Sequence, residues 1–464
     1  MGVTQKTITP IDDSLYVERA YAGPAEIDAA LKAARKAAAE WKHVPVAERQ
    51  KLLSKAVDAF VGKKEQIAEE ITRQIGRPIG QSPGEVRGFE ERARYMIEAA
   101  PEALADLDVG PKPGFTRFIR REPLGTVFVV APWNFPYLTA VNVTVPALMA
   151  GNAVIMKHSA QTPLCAERYA EAFKAAGLPA GLFQHLVLTH DDAAKLISRA
   201  DGVDYVAFTG SVPGGHAVME AASKRFIGAG LELGGNDPAY VRDDANMAHA
   251  VENLVDGAFF NSGQSCCGIQ RIFVHQDVYK KFLDGFVDLT NQYKLGNPLD
   301  ASTNLGPVVR TRAAEEIRKQ IDNAVRAGAK PLIDAKRFPA AKVGTAYLAP
   351  QVLVDLDTRN PFMQEECFGP AVAIVPVASD DEAIAKMNDN PFGLTAAIWT
   401  EDEKAAIRIG DRVETGTWFM NRCDYLDPAL AWVGVKDSGR GCSLSRVGYE
   451  YLTRPKSFHL RTKT

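Results

Sequence analysis

TVFVVAPWNFP, residues 126–136, decides the architecture of this 464-residue chain. A run of buried-strand type ends in a polar, proline-broken turn, so the strand hands the chain to a helix and not to a hairpin partner. The pattern returns at AVIMKHSAQTP (153–163) and YVAFTGS (205–211); PALMAG (146–151), helical stretches at 166–176 and 192–199 and a strand at HLVL (185–188) fill the intervals. Strands alternating with helices in this way form a doubly wound parallel sheet, in which ligands bind at the C-terminal ends of the strands.

Toward the N-terminus, residues 24–44 carry Ile27, Leu31, Ala34, Ala38 and Trp41 at helical spacing, and 46–70 repeats the pattern as one further helix. A third helix is expected over 85–104, where the charges of EVRGFEERAR read as a solvated surface. All three read as packing elements. FTRFIRR (115–121) alternates as a two-sided ribbon until Pro123 and Gly125 break it, and the tail KSFHLRTKT (456–464) alternates as its candidate partner. Beyond Gly235 a second α/β series begins, with helices over 246–260 and 278–293 around the strand IFVH (272–275). LGNPLD (295–300) and PLIDAKRFPAAKVGTA (331–346) read as surface connections.

A single hydrophobic core stops growing near about 250–300 residues, so two or three domains with a cleft between them are expected. With 46% hydrophobic and 24% charged residues and a net charge of −3, the chain has no field to draw nucleic acid or an anionic membrane. It has no apolar run of the ~18 residues that a membrane crossing requires. MGVTQKTITPIDDSLY at the start lacks an apolar signal core, and Lys6 stands where a myristoylation signal wants Ser or Thr. The six cysteines, at 165, 266, 267, 367, 423 and 442, show no paired framework, which fits a reducing cytoplasm; no metal site is expected.

Two of those cysteines are adjacent in FNSGQSCCGIQR (260–271). A thiolate is useful where the backbone can approach closely and donors can meet a developing oxyanion, and Gly263 with its polar neighbours supplies such a setting. Read alone, the pair fits a reactive thiol or two buried core cysteines. Each strand end adds a polar cluster: APWNFP, KHSAQTP, FTGS and LELGGNDP (231–238).

Through PWNFP (132–136), LELGGNDP, FNSGQSCCG (260–268) and EECFGP (365–370), the sequence resembles the NAD(P)-dependent aldehyde dehydrogenase superfamily over roughly residues 10–460. That resemblance implies an aldehyde dehydrogenase-like fold. Residues 1–104 with 124–232 would form a Rossmann-like dinucleotide-binding domain, 233–440 an α/β catalytic domain, and 105–123 with 453–464 a β-ribbon for a homodimer or homotetramer. It implies Cys266 as nucleophile, Asn134 as oxyanion donor and Glu232 as base for the water that cleaves a thioester, with Cys267 a neighbour. The apolar residues around Glu232 suit a base, since they raise a carboxyl toward neutrality. For NAD or NADP it implies Lys157 at the adenosine ribose, Thr209, Gly210 and Ser211 at the pyrophosphate, Glu366 at the nicotinamide ribose, Phe368 against the ring and Trp133 along the crevice. The aldehyde tunnel would be lined by Phe135, Thr139, Asn142, Ser265, Cys267 and Trp432, with Arg422 and Asp424 either reading a charged substrate end or pairing with each other.

The sequence also departs from the family. Ala160 replaces the carboxylate that grips the ribose in NAD-preferring members, so a 2′-phosphate is unopposed and His158 or Lys157 would favour it. SGRGCS (438–443) puts Ser443 where many members carry a Glu, which argues against a Glu-based proton relay there, and LVLTHDD (186–192) replaces a Gly-rich turn. Two rival activities remain open on the sequence: transfer of the acyl group to coenzyme A, and a catalytically silent binding protein on the same fold.

Overall fold

A computed structural model describes residues 3–463; Met1, Gly2 and Thr464, and with them the outermost ends of the expected N-terminal domain and C-terminal ribbon, lie outside the described residues. Thr126–Ala131 sits inside a six-stranded sheet, with Ala153–His158 and then Phe183–His185 on one side. Tyr205–Thr209, Gly228–Glu232 and Gly439–Arg440 follow on the other. All pairings are parallel except the last. The chain therefore winds outward from residues 126–131, returns, and winds the other way, which leaves the crevice of a doubly wound sheet at that strand's C-terminal end. Val127, Phe128 and the run from Ala153 to Met156 are completely buried, as expected of strands covered by helices on both faces.

A second sheet of seven strands runs in the order Lys330–Pro331, Gln351–Val354, Ala371–Val377, Ile269–His275, Asp237–Val241, Thr395–Trp399, Thr417–Met420, and only its first strand is antiparallel. The chain then returns to the first sheet through Gly439–Arg440, so the last two residues of the stretch assigned to a catalytic domain pair with Gly228–Glu232. Phe115–Pro123 pairs with Thr453–Arg461 over nine positions, where Phe118 stacks on Phe458 at 4.5 Å and Phe115 on His459 at 4.8 Å. The ribbon expected from alternation is present, and Thr453–Arg461 is its long outer edge.

Three local expectations are corrected. Residues 46–70 are not one helix: Val46–Val61 ends at Gly62, and Lys64–Ile75 restarts at an angle that buries Ile67, Ile71 and Ile75. The third peripheral strand of the first sheet is Phe183–His185, ahead of the HLVL expected, because its register follows Val154–Met156. Residues 331–346 are not merely a surface connection, since Ile333 and Phe338 join the core that packs on the second sheet and Ala346 is buried as well.

Candidate active site

The turn before the two cysteines is held in an unusual conformation. Asn261, Ser262 and Gly263 all have left-handed φ values, +50°, +57° and +72°, which for Asn and Ser is sustained only when surrounding bonds over-determine it. Those bonds are present. Asn261 donates from Nδ2 to the carbonyls of Asn134 and Gln264, and its Oδ1 accepts from Arg77 Nε at 3.2 Å. Ser262 Oγ donates to the Gly306 carbonyl at 2.9 Å, and Gln264 Oε1 accepts from the Val309 N–H at 2.7 Å. A side chain at 263 would stand 2.1 Å from the Gly369 carbonyl oxygen, so only glycine fits.

Directly after this turn the two thiols diverge. Cys266 is partly exposed to a cavity of about 420 Å³, while Cys267 is 4% exposed. Cys267 Sγ donates to Asp424 Oδ1 at 2.8 Å, an oxygen that also accepts from Ser265 Oγ at 3.1 Å. The hydrogen bond with Cys266, together with burial, pushes the Cys267 thiol well above the ordinary thiol range, so it stays protonated. Among the described residues the Cys266 backbone N–H donates to no carbonyl.

Glu232 ends the strand Gly228–Glu232 and opens onto the same cavity. Burial raises its carboxyl, against the lowering effect of the hydroxyl that Ser443 donates to Oε1. Thr209 Oγ1 donates to Oε2 at 3.4 Å. The two glycines that follow allow close packing: a Cβ on Gly234 would meet the Glu366 carboxylate at 2.5 Å, and one on Gly235 the Cys266 carbonyl at 2.3 Å. LELGG is thus the seam along which Glu232, Cys266 and Glu366 come together.

The remaining expected wall residues divide. Phe135, Thr139, Asn142, Cys267 and Trp432 line the cavity, whereas Ser265 lies behind it, bonded to Asp424. Arg422 and Asp424 do not pair; Arg422 stacks on Tyr425 at 3.9 Å and Asp424 faces the cavity from Cys267. Asn134 is 5% exposed, and its Nδ2 donates to the Gln264 carbonyl at 3.2 Å. Sequence reasoning placed the helix Pro83–Ala103 but missed its part in the site. Glu85 and Arg92, read as solvated, are 1% and 7% exposed and line the cavity. The overlooked signal is their spacing, which places both on the stripe of Val86, Phe89, Ala93 and Met96. Glu85 accepts from Arg77 at 2.6 Å and from the N–H groups of Tyr137 and Leu138 at 2.9 and 3.0 Å, capping the helix that follows PWNFP.

On the other side of the turn, Trp133, Gln264, Glu366 and Phe368 border a second cavity of about 680 Å³. Trp133 meets the Phe368 ring edge-on at 5.6 Å. Glu366 accepts from the Gly235 N–H at 3.0 Å, and burial lifts its carboxyl to about 7. Lys157, Thr209, Gly210 and Ser211 stand at strand ends of the first sheet, outside that cavity. The helix Val212–Ala222 begins at Ser211, whose Oγ accepts from the Gly214 N–H.

The sequence model of the aldehyde dehydrogenase family matches residues 2–458. The chain belongs to the aldehyde dehydrogenase family. It is 34% identical over 459 residues to a succinate-semialdehyde dehydrogenase (NADP+) of Mycobacterium avium strain 104, covering 98% of this chain and 94% of the relative. Among solved structures it matches PnpE from Pseudomonas sp. WBC-3 with a TM-score of 0.94 at 30% identity, over 100% of this chain and 95% of that one; a PnpE structure in complex with nicotinamide adenine dinucleotide matches equally. It also matches succinic semialdehyde dehydrogenase from Streptococcus pyogenes in complex with NADP+, with a TM-score of 0.94 at 27% identity, over 98% and 100% of the two chains. The protein is thus an aldehyde dehydrogenase that uses NAD or NADP.

A dinucleotide suits the residues of this aldehyde dehydrogenase. The free N–H groups at the Ser211 helix start suit a phosphate, and a side chain on Gly210 would collide with the Phe208 ring at 2.6 Å. Lys157 is buried, and burial lowers its ammonium. The suggestion that His158 attracts a 2′-phosphate is overturned. Its ring faces inward, with Nε2 on the Pro136 carbonyl at 3.1 Å and Nδ1 on Thr162 at 3.0 Å, and burial drives it down to about 4. The ring is neutral at pH 7 and turned away.

Proposed function

We propose that this enzyme oxidises its aldehyde through a covalent adduct on Cys266, with Glu232 as base and Asn134 as oxyanion donor. The observation that carries the reading is that Cys266 and Glu232 open onto one cavity of about 420 Å³ while Cys267 is tied to Asp424 as a thiol. Attack of the Cys266 thiolate on the aldehyde carbon forms a thiohemiacetal whose oxyanion the Asn134 amide and the uncommitted Cys266 N–H can hold. NAD or NADP, when bound, supplies the acceptor for the hydrogen and two electrons that leave that carbon. The thioester left on Cys266 is cleaved by water, whose proton passes to Glu232; the Ser443 hydroxyl holds that carboxylate in place.

In this reading the six-stranded sheet with the N-terminal helices binds the dinucleotide. Lys157, Thr209, Gly210 and Ser211 would serve its adenosine and phosphate end, and Trp133, Glu366 and Phe368 its nicotinamide end. The seven-stranded sheet carries the nucleophile. The free edge of Thr453–Arg461 supports a homodimer or homotetramer, since an exposed nine-residue strand is a pairing edge. None of the described helices is long and apolar enough to cross a membrane, and all six cysteines are free, which supports a cytoplasmic enzyme. The test is single-turnover formation of reduced cofactor. Cys266→Ala should lower it at least about 10⁴-fold, and Cys267→Ala less than about tenfold; the reverse order would transfer the role to Cys267.

A further inference from the structure

The first cavity contains a buried guanidinium to which no carboxylate is bonded, although Glu85, Glu232 and Glu91 lie within its electrostatic reach. Arg92 is 7% exposed, and its Nη1 donates to the Leu138 carbonyl at 2.8 Å and to Asn142 Oδ1 at 3.1 Å, both neutral acceptors. Among the described residues Arg92 forms no salt bridge, and Nε and Nη2 have no hydrogen-bond partner. Neither atom is sealed in the interior, and Arg92 lines the cavity.

Its neighbours are accounted for. Glu85 pairs with Arg77, Glu91 accepts the Tyr425 hydroxyl at 2.6 Å, and Asp424 accepts from Ser265 and Cys267. Arg87 and Asp256 are exposed to solvent. Arg92 favours the ionised forms of Asp424 and Glu232 while burial raises both carboxyls, so that either can also take a proton, and neither bonds to the guanidinium. A guanidinium has no such escape. A buried charge without a partner is costly, and the unbonded Nε and Nη2 edge has the two-donor geometry that fits a carboxylate.

We propose that Arg92 is a specificity residue that binds a carboxylate carried at the far end of the aldehyde substrate, making this enzyme selective for ω-carboxylated aldehydes. The inference rests on the reading of Cys266 as nucleophile. Asn142 then acts as a positioning residue, holding the guanidinium from the adjacent helix Pro136–Ala150.

The test compares kcat/KM for 4-oxobutanoate and butanal, with cofactor in excess, in wild type, Arg92→Met and Arg92→Lys. Wild type should prefer 4-oxobutanoate. Arg92→Met should shrink that preference about 10- to 100-fold, mainly through KM for the carboxylated aldehyde, and Arg92→Lys should recover part of it. Calorimetric binding of succinate, which needs no turnover, should weaken in Arg92→Met in parallel. Because that binding is independent of Cys266, it separates failure of this inference from failure of the thiol chemistry. A wild-type preference for butanal or for a trimethylammonium aldehyde would overturn the proposal, as would equal losses on both substrates in Arg92→Met with succinate binding intact.

Discussion

The two cavities on either side of the Gln264–Cys266 segment are built from different kinds of sequence. The crevice by Trp133, Glu366 and Phe368, and the strand ends beside it, come from contiguous motifs, each set by a strand that stops and a backbone that must turn. The cavity in front of Cys266 draws on the helix Pro83–Ala103, the start of Pro136–Ala150, the Cys423–Leu426 loop and Trp432. Chemistry common to a family is written in short runs, whereas what distinguishes one member is scattered over faces that only folding brings together.

Removing the proposed base, Glu232, should disturb the comparison most, because it lies inside the motif-built part. Glu232→Gln should lower steady turnover about 10²- to 10⁴-fold while leaving one burst of reduced cofactor per active site, measured by rapid mixing. Undiminished turnover would remove Glu232 from its role. A change at the scattered wall should appear first as lost stability. Glu85→Gln leaves Arg77 buried without its charge partner and weakens the cap on Pro136–Ala150, so denaturant unfolding should show a loss of about 3–5 kcal/mol. A loss below about 1 kcal/mol would show the pair to be dispensable.

The smallest expected effect lies where the two parts meet. Glu232 acts as a base only when ionised, and its raised carboxyl places the acidic limb of the kcat–pH profile above the ordinary carboxylate range. The Ser443 hydroxyl favours the ionised form, so Ser443→Ala should move that limb to higher pH. A shift to lower pH, or none, would mean that Ser443 does not act on the base.

How much was legible follows the same division. TVFVVA, AVIMK and YVAFTG gave the first sheet because continuous β-branched runs have little use outside a doubly covered strand. Gly263 marked a close backbone approach, which is to the Gly369 carbonyl. Arg92 and Glu85 were invisible as site residues, because a charged side chain on a helix reads as solvated until the facing element is placed. His158 misled in the opposite direction: its position after Lys157 suggested a phosphate contact, but strand alternation turns its ring inward onto Pro136. Ser443 read as a lost acid, and its hydroxyl contact with Glu232 emerged only from the antiparallel return of Gly439–Arg440 to Gly228–Glu232.

The central claim is that the substrate carbon becomes bonded to Cys266 and is released by Glu232. Glu232→Gln, mixed with aldehyde and NAD or NADP, acid-quenched within the burst and digested, tests it by mass spectrometry of the peptide containing residues 260–271. The account predicts an acyl group on Cys266 at about one per active site. An acyl group on Cys267, or an unmodified peptide alongside a full burst of reduced cofactor, would contradict it.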